Sequence, residues 1–446
     1  MNRFSLILFD LIKKQNSLCY LKEFERTKYF SKDELRAYQL VKVKKILAHA
    51  ELYSPFYKER LKEVGINSHN LTDLSELSKI PPLTRSDLQN HWKDIVSTNH
   101  NIEKLSKGSS SGSTGQPVIY YKDSEARSAG QGAHYLGWSL SGWKMGAKGL
   151  HIWGNPSTVK NEWKSVSSRV KAKVFKHHKF PAYKLTDGSN FEELRRLIEK
   201  EKYDYIDGYT NAIYLFADYL KHNKLKLNTK VRHVLTTAEN LQDFQRETIE
   251  EIIGPVYDAY GCGEINGIAY ECHKCKAYHI IDPHVIVEFG DTVDDVGTRE
   301  LIVTDLDNFA FPLIRYKLDD LAIPLNENKP CDIGFSRLKS ISGRQSDILK
   351  FKDGGTLSVP SFFGSMLLKQ IQGLKQYQVE RLAENLININ FVTTDEFSES
   401  DYKKLDEALM EYLNNKIDYK ITIVDKIEVS KIGKFKLLVD KTKNNA

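Results

Sequence analysis

The sequence predicts an α/β protein in two parts: a large N-terminal α/β body with several sheets and a small C-terminal α+β lid. Two observations carry this expectation. Between residues 118 and 289 short apolar runs alternate with helical stretches, and beyond residue 376 the order becomes strand, strand, helix, strand. At 446 residues the chain is long enough for two or three domains with sizeable cores.

Taken in order, residues 4–9 are apolar, are followed by Asp10 and lack a small-residue cleavage site. They read as an amphipathic helix rather than a signal peptide, with weak membrane-surface contact as the minor alternative. No apolar stretch reaches the roughly 18 residues of a transmembrane helix. Residues 1–105 form a helical leader, in which Leu40, Val43, Ile46 and Leu47 recur at three- and four-residue steps and Pro81-Pro82 ends the pattern. Strands are expected at 118–121, 149–153, 233–237 and 285–289. Helices are expected at 190–202 and 240–253, the second stopped by Gly254-Pro255. The last unit pairs strands 377–382 and 386–394 around a turn at 383–385. A helix at 400–416 carries Leu405, Leu409 and Leu413 at four-residue spacing, and a strand follows at 420–424.

Composition narrows the function classes. Apolar residues make up 41% and charged residues 28%, which excludes wholesale disorder. The net charge of +6 is too mild for a nucleic-acid partner. The basic excess is local, with Lys or Arg at eight positions of 160–184 against Glu162 alone. That run reads first as a solvated face; the sharper reading is a docking surface for a phosphate-bearing or polyanionic ligand. Five cysteines without a secretory signal point to a reducing cytoplasm.

The most distinctive segment is Lys107-Gly-Ser-Ser-Ser-Gly-Ser-Thr-Gly-Gln-Pro117. Glycines let the backbone approach an anion, and amide and hydroxyl groups can donate to phosphate oxygens. A flexible linker is the plain alternative, but a strand-like Val-Ile-Tyr-Tyr follows directly. A Walker-type kinase or NTPase would need Gly-Lys-Ser/Thr, which is absent.

Here the sequence resembles the adenylate-forming ligase superfamily. Ser111-Gly112-Ser113-Thr114-Gly115-Gln116-Pro117 is similar to its phosphate loop, and further stations follow in order. Tyr260-Gly261-Cys262-Gly263-Glu264 resembles Tyr-Gly-x-x-Glu, and Arg315-Tyr-Lys-Leu-Asp-Asp320 resembles Arg-Tyr-x-x-Gly-Asp. Gly343-Arg344-Gln345-Ser346-Asp347 resembles the Gly-Arg-x-x-Asp hinge, and Gly433-Lys434 the C-terminal Gly-Lys. Residues 49–57, 80–84 and Glu271-Cys272 look closest to the phenylacetate–CoA ligase-like branch that includes CapK-like proteins.

The resemblance implies ATP-dependent carboxylate activation through an acyl-adenylate, then transfer to CoA or an amine, with a role in surface-polysaccharide biosynthesis as one setting. It implies that Ser111, Gly112, Ser113, Thr114 and Gly115 cradle phosphates, that Glu264 holds Mg²⁺, and that Ala238 and Glu239 flank adenine. Tyr260, Gly261, Asp320 and Arg344 would face the nucleotide, and Lys434 would reach the reacting carboxylate. Asp347 would be the pivot between residues 1–343, the AMP-binding domain, and residues 344–446, the lid. Trp153, Asn155, Tyr209 and Thr210 are expected around the acyl group. The departure from pattern is Asp319, where the family carries glycine, which puts the local backbone in question. An inactive scaffold on the same fold is the alternative.

Cys272 and Cys275 form a CxxC, with Cys331 downstream. In this branch a second cysteine pair there resembles a four-thiolate zinc site. One ligand is missing: either His273, His279 or Cys262 substitutes and the set holds a structural zinc, or the site is eroded and the cysteines are ordinary reduced thiols. Partners are a small carboxylate and its acceptor, with the protein a monomer or homodimer.

Overall fold

The computed structural model describes residues 7, 10–11, 14–110, 118–154, 176–185, 190–294, 297–325, 331–344, 347–351, 356–359, 362–363, 367, 371–413, 416–427 and 436–442. Most of the apolar N-terminal run and most of the basic 160–184 run lie outside them.

The leader is helical, as α1 (Ser17–Thr27), α2 (Lys32–Tyr53), α3 (Pro55–Val64) and α4 (Arg85–Ile95). Ser31 and Glu34 start α2 with a reciprocal capping box. The apolar spacing that runs over 35–61 is divided between two helices at Pro55, earlier than the expected break at Pro81-Pro82. Proline lacks the amide that would continue α2, yet its fixed φ suits the first turn of α3. Val43, Leu47 and Ala50 of α2 are buried against strands of the body, with Leu301, Val303 and Leu313 in the same core.

The body is built on an 11-stranded sheet among the described residues, in the order β10-β11-β12-β13-β9-β8-β7-β6-β5-β3-β4. Its parallel half comprises β3 (Gly149–Trp153), β4 (His177–Pro181), β5 (Tyr205–Tyr209), β6 (His233–Thr237) and β7 (Val256–Tyr260). Leu150, Ile152, Ile206 and Val234 point to one face. There they meet α6 (Phe191–Glu201), α7 (Thr210–His222) and α8 (Asp243–Ile252). Side chains one residue away point oppositely, toward α5 (Ser124–Leu140), where Trp138, Tyr205, Leu235 and Tyr270 form a second core with α1. Crossover helices on both faces are what a parallel sheet requires.

The antiparallel half runs through β8 (Ala269–Glu271), β9 (Tyr278–Ile280), β10 (Val285–Thr292), β11 (Arg299–Asp305), β12 (Tyr316–Pro324) and β13 (Arg337–Arg344). Beside the sheet a separate hairpin pairs β1 (Ser106–Ser110) with β2 (Val118–Lys122).

After β13 the chain forms a small unit, in which β14 (Ile348–Lys350) pairs antiparallel with β15 (Thr356–Ser358). β16 (Leu374–Ala383) and β17 (Leu386–Thr393) make a tight hairpin, α9 (Glu399–Leu413) follows, and β18 (Asp418–Ile423) returns parallel to β17. β19 (Leu438–Asp440) adds a parallel edge to β16, a strand absent from the sequence reading. Leu405, Leu409 and Leu413 bury their shared face against Tyr377, Val379, Ile389 and Phe391. Truncating Leu409, which is fully buried, would cost about 2–5 kcal/mol.

Candidate active site

The β1–β2 pair sets Ser110 opposite Val118, the residues that flank 111–117 in sequence. Ser111, Gly112, Ser113, Thr114 and Gly115 themselves lie outside the described residues, as do Asn155 and Lys434. The base of the hairpin explains two glycines. A Cβ on Gly108 would stand 2.2 Å from the Tyr120 ring, and one on Gly263 would stand 2.7 Å from the Tyr120 hydroxyl. Tyr120 is thereby pressed between the hairpin and the loop 261–264. Lys122, buried at the end of β2, donates to the Gly263 carbonyl at 2.9 Å, and burial lowers its pKa against the pull of Asp305, Cys262 and Glu264. These contacts dock the phosphate-loop hairpin on the loop that carries Glu264.

Glu264 is 4% exposed and accepts no hydrogen bond among the described residues. Tyr120, Lys122 and Tyr316 are close enough to feel its charge. A carboxylate withdrawn from water with its oxygens uncommitted suits a hard cation, so the donor chemistry fits magnesium.

The Tyr260 hydroxyl donates to Asp320 Oδ2 at 2.8 Å, joining two of the motifs across the sheet. Asp320 is paired with Arg344 between β12 and β13, and the register slips immediately after it. Asp319 has φ 59°, in the left-handed region. The glycine-like backbone is therefore kept without the glycine, at a cost of about 1 kcal/mol or more that neighbouring structure must hold. Arg315, also at positive φ, is a structural tie: its guanidinium reaches Glu288 at 3.0 Å and the carbonyls of Ser78 and Ile80.

At the end of β6, Ala238 has φ 68°. Glu239 turns back so that its carboxylate accepts from the Asn211 amide at 2.8 Å, at the N-terminus of α7, where the helix dipole favours a negative charge. The Thr210 hydroxyl donates to the Glu239 carbonyl at 3.2 Å, so it fixes this loop rather than pointing freely at a ligand. Trp153 and Tyr209, at the ends of neighbouring β3 and β5, stack with centroids 4.1 Å apart, and the Gly154 amide bonds the Tyr209 hydroxyl. Asp347 follows β13 and raises the pKa of buried Tyr377 in β16, in addition to the larger effect of burial. Three successive residues of β16 touch the body: Lys375 pairs with Asp218 at 2.9 Å, Gln376 donates to the Tyr214 hydroxyl at 2.7 Å, and Tyr377 donates to Gln242 at 3.4 Å.

Cys272, Cys275, Cys331 and His279 each offer a ligand atom within 4.8 Å of the others. His279 Nε2 lies 3.5 Å from Cys275 Sγ and 3.3 Å from Cys331 Sγ. The two other substitutes are engaged elsewhere: His273 bonds the Leu140 carbonyl at 2.8 Å, and Cys262 sits beside Glu264, bonded to the Ile265 amide. Burial lowers the His279 pKa to about 4, which leaves its imidazole neutral.

Sequence reasoning passed over Lys122, a lysine inside an apolar strand, and the pairing of His151 and His177 with Asp207 beneath Trp153. Asp207 sits within an otherwise apolar strand, and such a buried acid was the available signal.

Comparison with known proteins bears on this geometry. Residues 354–441 match the family described as the CapK C-terminal domain. The chain is 24% identical to Protein CapK of Staphylococcus aureus over 415 residues, 87% of this chain and 86% of that one. It is 25% identical to the phenylacetate-coenzyme A ligase of Pseudomonas putida over 377 residues, covering 78% and 79% of the two chains. Among solved structures, 2-hydroxyisobutyryl-CoA ligase in the postadenylation state with 2-HIB-AMP shares the fold. Its TM-score is 0.74 at 15% identity, over 94% of this chain and 92% of that one. The amide bond synthetase McbA from Marinactinospora thermotolerans shares it at TM-score 0.53 and 15% identity, over 78% and 70%.

Proposed function

Because this chain belongs to the adenylate-forming superfamily, on the branch of the phenylacetate–CoA ligases and CapK-like proteins, and is an adenylate-forming ligase, we propose the following reaction. A carboxylate oxygen of a small acid attacks the α-phosphorus of ATP, the bond to the β-phosphate breaks, and pyrophosphate leaves. A CoA thiol or an amine then attacks the acyl carbon and AMP departs. Such catalysis is mostly positioning and electrostatic stabilisation.

The phosphate-loop residues Ser111 to Gly115 cradle the β- and γ-phosphates. Glu264 would hold Mg²⁺, which supplies charge neutralisation at the phosphates. Asp320, oriented by Tyr260, accepts from the ribose hydroxyls, and Arg344, paired with it in the sheet, serves the ribose or a phosphate. Ala238 and Glu239 border the adenine, while Trp153 and Tyr209 border the acyl group. Lys434, on the lid, brings its charge to the carboxylate and α-phosphate and then withdraws as the lid turns about Asp347. Cys272, Cys275, Cys331 and His279 would hold a zinc ion in a structural role. A role in surface-polysaccharide assembly draws its support from the CapK relative.

The observation that carries this reading is the Tyr260–Asp320 bond, which joins two ordered motifs at one place beside Glu264 and the phosphate-loop hairpin. The scaffold alternative drew on Asp319, and that residue has a left-handed backbone of the kind glycine favours. The test is acid-dependent ATP–pyrophosphate exchange. Exchange with at least one acid, abolished in Asp320→Ala, supports the reading. No exchange with any acid, together with no calorimetric binding of Mg·ATP, rejects it for the scaffold.

A further inference from the structure

Beneath the Trp153–Tyr209 stack lies an ionisable cluster that nucleotide chemistry does not use. Strands β4, β3 and β5 are adjacent and parallel, and their register sets Lys179, His151 and Asp207 in one row. Directly paired residues of parallel neighbours share a face, so this row stands on the α5 side, two residues below Trp153. Asp207 is buried, and both its oxygens are taken, one by His151 Nδ1 and the other by His177 Nε2 at 2.9 Å. Burial alone would raise its pKa, but the two imidazoles outweigh it and hold the carboxyl well below the usual range. The carboxylate is therefore a fixed buried charge that orients two rings.

Those rings are not sealed off. The side chains of His151 and His177 remain 22% and 27% exposed, and Lys179 is exposed beside them. Each imidazole spends one nitrogen on Asp207. His151 Nε2 and His177 Nδ1 make no hydrogen bond among the described residues. His151 also stacks on Trp153, with centroids 5.3 Å apart and planes within 14°. Opposite, α5 contributes His134, whose Nδ1 bonds the Tyr270 hydroxyl at 2.8 Å and which feels the charges of Asp207, His151 and His177. The wall below the aromatic rim is thus polar on both sides.

We infer that the acid activated by this enzyme carries a hydrophilic tail, bearing hydroxyls or a second carboxylate, received by the outer nitrogens of His151 and His177. This rests on the carboxylate-activating reading and on Trp153 and Tyr209 as the rim of its acyl pocket. The physical reason is desolvation. A hydrocarbon or aryl tail would strip water from two imidazoles anchored to a buried carboxylate and return no hydrogen bond. A tail with its own oxygens replaces that water, while its carbon skeleton lies against the Trp153–Tyr209 rim. Sites built to hydrogen-bond a substrate reject analogues lacking the group by about 10⁴–10⁵.

The experiment is ATP–pyrophosphate exchange over four arms of acids, led by D-glucuronate, succinate, phenylacetate and hexanoate. The expected result is exchange in a polar arm, the first two separating hydroxyl from carboxylate recognition. The best aryl or alkyl acid should fall at least about 10³-fold lower in kcat/KM. His177→Gln should raise KM for the polar acid tenfold or more while KM for ATP holds, and Asp207→Asn should do the same by loosening both rings. An aryl or alkyl acid within tenfold of the best polar acid overturns the inference and leaves the activation reading standing. So does a His177→Gln loss shared equally between acid and ATP in protein that melts as the wild type does. Exchange in no arm removes the activation reading and the inference with it. The wild-type comparison needs no variant to fold.

Discussion

Substituting Tyr260 by Phe tests the nucleotide site at its best-defined contact. The hydroxyl donates to Asp320 Oδ2 at 2.8 Å, and both residues are buried. The ring packs in the body core with Ile265 and Ile268, a volume that Phe fills equally, so the change removes the hydroxyl and its bond to Asp320 while the ring packing stays. A bond to a charged acceptor contributes about 1.5–3 kcal/mol. At 1.36 kcal/mol per factor of ten, that is roughly 10- to 150-fold. Asp320 is proposed to meet the ribose, so the loss should fall on kcat/KM for ATP and leave KM for the acid within about twofold. Steady-state pyrophosphate release at varied ATP and varied acid separates the two, and a thermal melt verifies the fold. Unchanged kcat/KM for ATP, or a loss confined to KM for the acid, would refute the assignment of Asp320 to the nucleotide.

Four further outcomes are expected. Lys434→Ala should abolish acid-dependent pyrophosphate exchange yet spare transfer from a preformed acyl-adenylate; equal loss of both half-reactions contradicts the lid role. Protein purified without added zinc should carry about one zinc per chain, and Cys275→Ser or His279→Ala should lose it, as metal analysis reads directly. Burial lifts the Asp282 carboxyl to about 7 despite its bond from the Ser336 amide, so its folded value stands above its unfolded one. Stability then falls as pH rises between about 4 and 7, and Asp282→Asn should recover at most about 4 kcal/mol at pH 8 and little at pH 4; an equal gain at both rejects this. Lys42 pairs with buried Asp307 at 2.5 Å, and Asp307 also binds His284 at 2.7 Å. Lys42→Met strands that charge and should cost about 3–5 kcal/mol in chemical denaturation, whereas a loss under about 1 kcal/mol would deny the pair a structural role.

What could be read in advance followed from local chemistry. Alternation and spacing placed β3, β6 and β17 and the leucine face of α9, because strand and helix periods are written into adjacent residues. The break at Pro55 was legible too, and an apolar rhythm carried across it obscured it. Asp319 marks a different boundary. Its side chain departs from the family pattern, yet its φ of 59° is one that glycine favours, and a β12–β13 register slip lies beside it. A residue's identity can fail where its backbone succeeds, and only the fold tells which of the two matters.

For the same reason the sequence left three candidates beside the cysteines and did not bring out the His151–Asp207–His177 cluster. His279 completes the cysteine set because β9 returns antiparallel to β8 and carries it beneath the CxxC turn; His273, nearer to the cysteines in sequence, faces the Leu140 carbonyl instead. His151, His177 and Asp207 converge through parallel register alone. They lie 26 and 30 positions apart in sequence, a separation that no motif describes. Ordered motifs gather where every member of a family needs the same nucleotide geometry. The part of the pocket inferred above to tell one acid from another is assembled by strand pairing, from residues with no common spacing. On that inference its chemistry is taken from the row Lys179–His151–Asp207, and a row of polar groups anchored on a buried carboxylate is a poor seat for an aromatic ring.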